Sequence, residues 1–452
     1  PVVFAYGLSF MDEEYDVGQS TDVASYIDGP HALQDPYGFC DNGLPSAVAG
    51  GGVFPSTTAG VDIVGLDCTV GGGDPVYTVV GVGSNGFPGY SPAFSEKYSR
   101  DSYAVYGVLS ADVSDTLYLQ GAIRYEDYSD FGEEIVGKVA ARWKIADNMA
   151  IRGSVGTGFR APTPGQQGTT NVSTRLPNGF PVATGLFPAS GPVAQALGAT
   201  PLKAETSTSY TLGLTADIGE MTLTIDLYQI DMEDRFNAIS TRDVSTDPLG
   251  DPDAYANYLA LAGAGVVGAE SIGGVFYFTN AFDSKTQGVD IVASYPFEWS
   301  NGHSTTLQYA LNWNKSELAS DASAFLNAED RYDFENVDPN IRWNATAIHS
   351  AGDLSLMGRV SFYGESHNSD NTSPYLAVQQ FSSTMYFDLE GSYRINDNWK
   401  VAVGARNLFD EYPDELDRVA SDNDQCCGRI YSSGSFAPWQ GGYYYGKVSV
   451  NF

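Results

Sequence analysis

Apolar and polar side chains alternate along many short segments of the chain. Segment 149–160 is an example, because Ile151, Val155 and Phe159 fall at odd positions while Arg152 and Arg160 fall at even ones. A β-strand has a side-chain period of two, so such a segment presents one apolar and one polar face. The pattern predicts an all-β protein made of amphipathic strands. The same alternation recurs in segments 117–126, 221–228, 354–363 and 399–406.

Short polar turns join the alternating segments in pairs, as antiparallel hairpins require. These turns lie at 114–115, 147–148, 219–220, 300–302, 351–353 and 396–398. Much longer segments, rich in Gly, Pro, Ser, Asp and aromatic residues, separate one hairpin from the next. They lie at 16–98, 161–204, 239–272, 319–338 and 413–440.

This organisation predicts about fourteen strands. They begin near residues 3, 100, 117, 133, 149, 205, 221, 273, 304, 339, 353, 381, 399 and 441. Short turns at one end and long loops at the other are typical of outer-membrane β-barrels, whose long loops are extracellular. The predicted fold class is therefore all-β, an antiparallel transmembrane β-barrel with long extracellular loops. Only short helices are expected, near 193–198 and 254–262.

No apolar run approaches the roughly 18 residues that a membrane-spanning helix needs. The mean hydropathy of −0.19 would suggest a soluble protein. Membrane β-barrels escape such scans because only every second residue of a strand faces lipid. The low hydropathy therefore leaves the barrel prediction intact.

The 452 residues carry a formal net charge of −33, with 56 Asp and Glu against 23 Lys and Arg. This charge argues against a nucleic-acid partner. Many of the few basic residues nevertheless fall on the polar faces of predicted strands, which predicts a basic lumen wall. The alternative is that these basic residues share one face only because of the register that is assigned to the strands. The residues are Arg124, Lys138, Arg142, Arg152, Arg160, Arg342, Arg359, Arg406 and Lys447.

Aromatic residues are frequent in the long loops and are the candidate ligand contacts. Their rings could stack on a sugar or an aromatic chelate, or they could pack the loops against one another. The acidic, cation-poor character of the loops favours neutral sugars or peptides over strongly anionic ferric chelates. The candidates are Tyr37, Phe39, Phe54, Tyr77, Phe87, Tyr90, Phe187, Tyr255, Tyr258, Tyr431 and Trp439.

The four cysteines lie in loop sequence, and their spacing matches no metal site. A disulfide between Cys40 and Cys68 would close one long loop, as an oxidising compartment allows. Cys426 and Cys427 could form a vicinal disulfide or bind across loops, and the sequence leaves the three possible pairings open. A structural role is preferred to a redox role.

Two groups of loop carboxylates could bind Ca²⁺, although neither follows the spacing of a known calcium loop. A solvated acidic surface is the simpler interpretation, so no cofactor or metal is predicted. The groups are Asp247, Asp251 and Asp253, and Asp414, Glu415 and Asp417.

Catalytic motifs are also missing from the sequence. The four histidines are scattered at His31, His303, His349 and His367, and no zinc-binding His-Glu-x-x-His pattern occurs. Segment 263–268 matches the glycine spacing of a dinucleotide fingerprint but lacks the surrounding βαβ unit. The chain is therefore predicted to have no catalytic residues and not to be an enzyme.

Four segments carry a resemblance to a known family. Segment 124–132 reads Arg-Tyr-Glu-Asp-Tyr-Ser-Asp-Phe-Gly, and segment 152–163 begins Arg-Gly-Ser-Val-Gly-Thr-Gly-Phe-Arg. Tyr-Phe-Thr-Asn at 277–280 precedes Thr-Gln-Gly-Val-Asp, and segment 403–413 contains Gly-Ala-Arg-Asn-Leu-Phe. Together they resemble the C-terminal barrel of a TonB-dependent outer-membrane receptor. The terminal Phe452, which closes an alternating strand, resembles the assembly signal of outer-membrane barrels.

The resemblance implies a 22-stranded barrel around an N-terminal plug domain, in the outer membrane of a Gram-negative bacterium. Residues 1–452 would then be the C-terminal part of the barrel, carrying strands 9–22 without the plug, the TonB box or the early strands. The lumen arginines, Arg152 and Arg160 among them, would face the plug.

The implied function is import of a scarce nutrient, such as a siderophore or an oligosaccharide, by loop capture and plug-gated passage. The implied partners are the TonB–ExbB–ExbD complex, outer-membrane lipid and lipopolysaccharide, the barrel assembly machinery and a small-molecule substrate. Two other functions remain open, a passive porin-like channel and a barrel that serves as a surface platform.

Overall fold

The computed structural model describes residues 1–16, 46–47, 53–54, 97–175, 182–266, 269–372, 375–417, 430–432 and 435–451. The strands, in chain order, are β1 (Val2–Asp16), β2 (Ser46–Ala47), β3 (Val53–Phe54), β4 (Lys97–Asp112), β5 (Leu117–Tyr128), β6 (Gly132–Ala146), β7 (Met149–Arg160), β8 (Asn171–Arg175), β9 (Val182–Leu186), β10 (Glu205–Ile218), β11 (Met221–Ala238), β12 (Arg242–Asp243), β13 (Ile272–Phe276), β14 (Phe278–Glu298), β15 (Ser304–Leu318), β16 (Ile341–Ala351), β17 (Leu354–Tyr363), β18 (Ser366–Thr372), β19 (Tyr375–Phe381), β20 (Thr384–Arg394), β21 (Trp399–Arg406) and β22 (Tyr443–Val450). The helices are α1 (Pro164–Gly168), α2 (Pro192–Ala196), α3 (Pro252–Gly263) and α4 (Ala328–Asn336).

Fourteen of the strands form one antiparallel sheet. Its order is β1-β4-β5-β6-β7-β10-β11-β14-β15-β16-β17-β20-β21-β22, so each strand pairs with the next long strand along the chain. These fourteen correspond one to one to the predicted strands, which confirms the all-β antiparallel prediction. Among the described residues, the edge strands β1 and β22 each pair on one side only.

The connections differ at the two ends of the sheet, as predicted. At one end, turns of a few residues join β4 to β5, β6 to β7, β10 to β11, β14 to β15, β16 to β17 and β20 to β21. Gly219 and Gly352 lie in two of these turns with φ of 61° and 60°, a conformation that glycine adopts at little steric cost. Most connections at the other end are much longer.

The sheet has two chemically different faces. Arg152 lies opposite Arg142 on one side and Gly213 on the other, and the side chains of opposed residues share a face. We call the face that carries Arg152 and its register partners the polar face, and its reverse the apolar face. Large exposed side chains on the apolar face include Val105, Leu109, Ile123, Val139, Trp143, Val155, Leu212, Leu227, Leu307, Leu356, Phe387, Leu389, Val403 and Val448.

The described loop residues within 161–204 and 239–277 pack together, and we call them the loop cap. They form a second sheet of order β12-β13-β9-β8, in which β13 and β9 are parallel. Helices α2 and α3 match the two predicted short helices. The cap has its own apolar core, formed by Phe187, Val193, Ala194, Leu197, Ile239, Val244, Leu261, Ala269, Ile272, Val275 and Tyr277.

Helix α4 and the β18–β19 hairpin extend this structure beside the cap. The Ser369 hydroxyl donates a hydrogen bond of 2.7 Å to Asp333 Oδ1, and the His367 Nδ1 lies 3.2 Å from the Asn336 carbonyl oxygen. Burial raises the pKa of the Asp333 carboxyl, and this effect exceeds that of the Ser369 hydrogen bond, which lowers it.

None of the helices in the described part of the chain is both long and apolar enough to cross a bilayer.

Candidate transport face

The register of the sheet places all the predicted lumen residues on the polar face. Directly opposed pairs connect them from strand to strand, for example Arg142 with Arg152, and Arg359 with Thr346. Contact of these residues with a plug domain stays a prediction. The residues are Arg124, Lys138, Arg142, Arg152, Arg160, Arg342, Arg359, Arg406 and Lys447.

One row of opposed residues crosses ten strands of the polar face without a break, from β5 to β20. Its charged members are Arg142, Arg152, Asp226, Asp290 and Arg342. Every other member except one glycine carries a hydroxyl or an amide. In order, the row is Tyr118, Arg142, Arg152, Gly213, Asp226, Asp290, Asn312, Arg342, Tyr363 and Thr384.

A bidentate ion pair lies near the centre of this row. Arg152 Nε donates to Asp226 Oδ1 at 3.0 Å, and one terminal nitrogen donates to Oδ2 at 2.6 Å. The pair reaches across the intervening strand β10 at Gly213. A Cβ atom at that position would lie 2.2 Å from Asp226 Oδ1 and 2.8 Å from Arg152 Nε. Glycine is therefore needed there for the two side chains to meet.

Beyond Asp226 the row lines a cavity of about 560 Å³. The Asn312 amide donates to Asp290 Oδ1 at 2.7 Å, and the Arg342 guanidinium lies 4.8 Å from the centre of the Tyr363 ring. Asn344 and Ser361 add further polar groups to the lining. The cavity thus combines donors and acceptors with three aromatic residues, Trp343, Phe362 and Tyr363.

Carboxylates pair with two further arginines of the polar face, nearer its long-loop end. Arg124 pairs with Glu126 at 2.7 Å, and Arg160 pairs with Glu205 at 2.7 Å. The expectation of a wall lined mainly by positive charge is corrected by these contacts. The wall mixes both signs because Asp226 and Asp290, inside strands, share the face with the arginines.

Arg100 joins the main sheet to the loop cap. Its side chain is 6% exposed and pairs with Glu13 on β1, with Nε 2.6 Å from Oε2. A terminal nitrogen also donates to the Pro162 carbonyl oxygen, and the Tyr128 ring centre lies 5.0 Å away. These contacts fix the chain where β7 leaves the sheet and α1 begins.

Of the predicted ligand-contact aromatics, five lie among the residues whose side chains are described. Phe187 is 1% exposed and belongs to the core of the loop cap, so its ring packs loops and is closed to a ligand. Tyr258 packs against the same core, with Tyr255 beside it at 6.1 Å between ring centres. Tyr431 stacks on Tyr412. Trp439 is 47% exposed and stays a candidate contact.

Several predictions fall outside the described residues. For Phe54 only the backbone, in β3, is described. The remaining ligand-contact candidates, all the cysteines and the terminal residue also lie outside, so they stay predictions. They are Tyr37, Phe39, Tyr77, Phe87, Tyr90, Cys40, Cys68, Cys426, Cys427 and Phe452.

Three of the loop carboxylates considered for Ca²⁺ accept local backbone hydrogen bonds. Asp251 caps α3 by accepting from the Asp253 and Ala254 backbone N–H groups, and Asp247 accepts from that of Leu249. Asp414 accepts from the Ser382 N–H. Within the described ranges, no group of three or more His, Cys, Asp or Glu side chains is placed to hold a metal ion.

Comparison with known proteins decides the family. Residues 18–408 match the family model described as TonB dependent receptor-like, beta-barrel. The chain belongs to this family. Its members are transporters of the Gram-negative outer membrane, which confirms the predicted compartment and agrees with the prediction that the chain is not an enzyme. Contact of the apolar face of this TonB-dependent receptor barrel with outer-membrane lipid stays a prediction.

Solved structures share the fold at low sequence identity. The ferric enterobactin receptor PfeA of Pseudomonas aeruginosa, in complex with BCV-L6, is 14% identical with a TM-score of 0.58, over 99% of this chain and 51% of that one. The siderophore receptor PirA of Acinetobacter baumannii is 14% identical with a TM-score of 0.53, over 79% and 46%. The copper transporter OprC is 16% identical with a TM-score of 0.50, over 79% and 49%. The chain spans about half the length of these proteins.

Sequence reasoning missed several residues of this receptor's polar face. It found the alternation of segment 221–228 but did not pair Asp226 with Arg152, which lies 74 residues away. It also missed the importance of Gly213, and it missed Arg100 as the contact between sheet and loop cap. The alternation of β10 does contain a signal, because Gly213 interrupts the polar series of Thr211 and Thr215.

Proposed function

We propose that the native protein is a TonB-dependent importer of a scarce small nutrient. Its extracellular loops capture the substrate, and the substrate crosses the lumen once a plug domain is rearranged. The observation that carries this proposal is the two-faced sheet. Its polar face bears a row of charged and hydrogen-bonding residues across ten strands, while its apolar face suits lipid.

The loop cap suits the capture step because it is a folded structure with an apolar core. Its strands and helices hold loop segments from two connections in fixed positions. A site built on such a scaffold loses less conformational entropy when it binds a ligand than mobile loops would lose. Trp439, in the connection before β22, offers an exposed ring at the same end of the sheet.

The polar face suits the passage step. A solute that leaves water needs hydrogen-bonding partners, and the row from Tyr118 to Thr384 supplies donors and acceptors side by side. Several of its groups are already paired with one another, such as Arg152 with Asp226. Contacts with a solute or with a plug surface would therefore compete with existing pairs, which keeps the binding weak enough to reverse.

The proposed partners follow from family membership. They are the TonB–ExbB–ExbD complex, which would act through a segment N-terminal to this chain, and a small-molecule substrate. Outer-membrane lipid and lipopolysaccharide would surround the apolar face, and the barrel assembly machinery would act through Phe452. The named solved structures include a ferric enterobactin receptor and a copper transporter. A siderophore and an oligosaccharide are the substrate classes we propose.

The test is uptake of labelled probes by the source bacterium. Ferric enterobactin, copper and maltotriose would be supplied to the wild type, to a strain without this protein and to a strain without TonB. We expect accumulation of one probe to fall to background in both deletion strains. Uptake that needs this protein but not TonB would refute energised import.

A second measurement tests the passive channel directly. The full-length native protein would be inserted into a planar lipid bilayer and its conductance recorded. We expect a closed pore in the absence of TonB. A steady conductance would indicate a porin-like channel, and a closed pore together with normal uptake of every probe in the deletion strain would indicate a surface platform.

A further inference from the structure

Two basic side chains of the polar face, Lys138 and Arg142 on β6, have no paired carboxylate in the part of the chain that the structure describes. Neither makes an ion pair or a side-chain hydrogen bond with any residue that the structure describes. Arg124, Arg152 and Arg160 on the same face each hold a carboxylate. Around Lys138 and Arg142, the polar face therefore carries positive charge that no described carboxylate neutralises by pairing.

These two side chains line a cavity of about 350 Å³ together with Arg152. Its other polar lining consists of hydroxyl groups, from Tyr118, Ser154 and Thr211, and the Ser154 and Thr211 hydroxyls lie 2.8 Å apart. No Asp or Glu is among the described residues of this lining. The cavity therefore offers hydrogen-bond donors and positive charge but no carboxylate.

The register concentrates the positive charge at this point. Arg142 lies directly opposite Arg152, an arrangement of like charges that is unfavourable without a counter-ion. Arg152 is held by Asp226 across Gly213, on the side away from Arg142. Asp226 is thereby paired with Arg152, and Arg142 forms no ion pair with any described residue.

Lys138 is oriented by a second glycine. Gly156 lies opposite Lys138, and a Cβ atom there would be 3.2 Å from Lys138 Cβ and Cγ. The aliphatic stem of Lys138 thus passes close over the β7 backbone. The nearest acidic residue on the same face of β6 is Glu134, four residues or about 13 Å along the strand.

Carboxylates on neighbouring strands do not fill the cavity either. Asp147 and Asp217 line a separate cavity of about 290 Å³ at the short-turn end of the sheet, where Arg142 and Lys144 also contribute. An anion in the larger cavity would therefore meet Lys138 and Arg142 without competition from a carboxylate in the same lining.

We propose that Lys138, Arg142 and the adjoining hydroxyls form a binding site for a small solute that carries carboxylate or phosphate groups. Hydrogen bonds from charged donors to such oxygens are roughly twice as strong as neutral ones. A cavity lined by one sign of charge also raises the local concentration of the opposite sign. The site extends from Lys138 at the middle of β6 to Arg142 nearer the short turns, so it would hold the solute in the later part of its passage.

This inference rests on the proposed function and names its substrate class as anionic. It differs from the preference for neutral sugars that the loop composition indicates. The loops and the wall act at different stages, and the wall supplies the counter-charge that an anion needs once it has left the bulk solvent.

The test is equilibrium binding of citrate to the full-length native protein by isothermal titration calorimetry at about 0.15 M ionic strength, where the screening length is roughly 8 Å. The double variant Lys138→Gln/Arg142→Gln should weaken citrate binding by about tenfold or more, since it removes two charge-assisted hydrogen-bond donors. The matched control is Lys400→Gln/Arg406→Gln, which removes the same charge from the polar face of β21. It should leave the affinity within about twofold, because screening limits distant charges.

Equal citrate affinity in the two double variants, or no citrate binding by the wild type, would overturn the proposal. In the second case, a lower unfolding temperature of the Lys138→Gln/Arg142→Gln variant alone would show that carboxylates of the protein itself occupy the cavity. We expect the Lys138→Gln/Arg142→Gln variant to bind maltotriose as the wild type does. Uptake that needs this protein but not TonB, together with intact citrate binding, would refute the import proposal while leaving this site in place.

Discussion

At the scale of single residues, small side chains decide which charges of the polar face can meet. Gly213 lies between Arg152 and Asp226 in the register, and its missing side chain leaves the space through which the ion pair forms. The pair is partly exposed, at 48% for Arg152 and 30% for Asp226. Its value is therefore more in orienting Arg152 than in stabilising the sheet.

Substitution Gly213→Ala should break this pair. The new Cβ would collide with Asp226 Oδ1 and Arg152 Nε, so one of the two side chains must turn away. We expect a loss of about 1 kcal/mol in the free energy of unfolding, the upper end for a partly exposed pair. The midpoint of urea unfolding, followed by tryptophan fluorescence in lipid vesicles, measures this loss.

Gly121→Ala is the matched control, because nothing lies within 4 Å of the Cβ position of Gly121 on β5. It should be neutral or slightly stabilising, since alanine restricts the unfolded chain more than glycine does. Equal destabilisation by the two substitutions would show that the Arg152–Asp226 contact does not depend on Gly213.

At the scale of secondary-structure elements, the loop cap behaves as a small domain on top of the sheet. Helix α3 illustrates this, because one side of the helix is buried in the cap and the other side is exposed. Leu261 is fully buried in the core of the cap, while Leu259 in the same helix is 50% exposed. The cap thus has a stability of its own that can be changed without touching the sheet.

Leu261→Ala should loosen the cap selectively. Removing a buried leucine side chain costs about 2–5 kcal/mol, and the loss falls on the elements that pack around it. Limited proteolysis should cut residues 239–277 faster, while the unfolding midpoint of the whole barrel changes little. Leu259→Ala is the control and should leave the cleavage rate unchanged. If both variants were cleaved at the same rate, the packing of α3 described above would be wrong.

The contact between α4 and β18 should depend on pH. Burial raises the pKa of Asp333 above its usual value of 3.8, so the folded state holds this proton more tightly than the unfolded state. Stability from this group is present below pH 3.8 and is lost as the pH rises through the folded-state pKa. Hydrogen-exchange protection factors of the α4 amides should therefore fall across this window.

Asp333→Asn removes the titration and keeps an oxygen that can accept from Ser369. Its α4 amides should show protection that is constant with pH and, near neutral pH, at least as high as in the wild type. A variant with the same pH dependence as the wild type would assign the effect to another group, such as Asp330, whose charge also raises the Asp333 pKa.

At the scale of the whole molecule, the two faces of the sheet set its environment. Large apolar side chains are exposed along nearly every strand of one face, and a surface of this extent is unfavourable in water. The reverse face carries charged residues that a bilayer interior would exclude. The sheet as a whole is therefore suited to a boundary between lipid and a polar lumen.

This arrangement predicts a difference between two lysine substitutions on β5. Ile123 is 61% exposed on the apolar face, and Ile123→Lys should cost about 2–4 kcal/mol near the middle of a bilayer. Gln120→Lys places the same charge on the polar face and should cost little. The fraction of heat-modifiable, folded protein after insertion into lipid vesicles measures both. Equal folding yields would exclude lipid contact for Ile123.

The sequence by itself determined the strands, their number and the face of the nine basic residues predicted to line the lumen. These properties are local, because the period of two and the chemistry of short turns act within about ten residues. All fourteen predicted strands occur in the sheet, and so do both predicted short helices. The small strands of the loop cap escaped prediction because they are two to five residues long and carry little alternation.

Only the tertiary structure decided which groups meet. Arg152 finds Asp226 across 74 residues, and β13 pairs with β9 in parallel although long connections separate them. The partner of a charged residue depends on the register between strands, and a shift of one position would turn Asp226 to the other face. Local patterns fix the face of a residue, whereas strand order and register fix its neighbours.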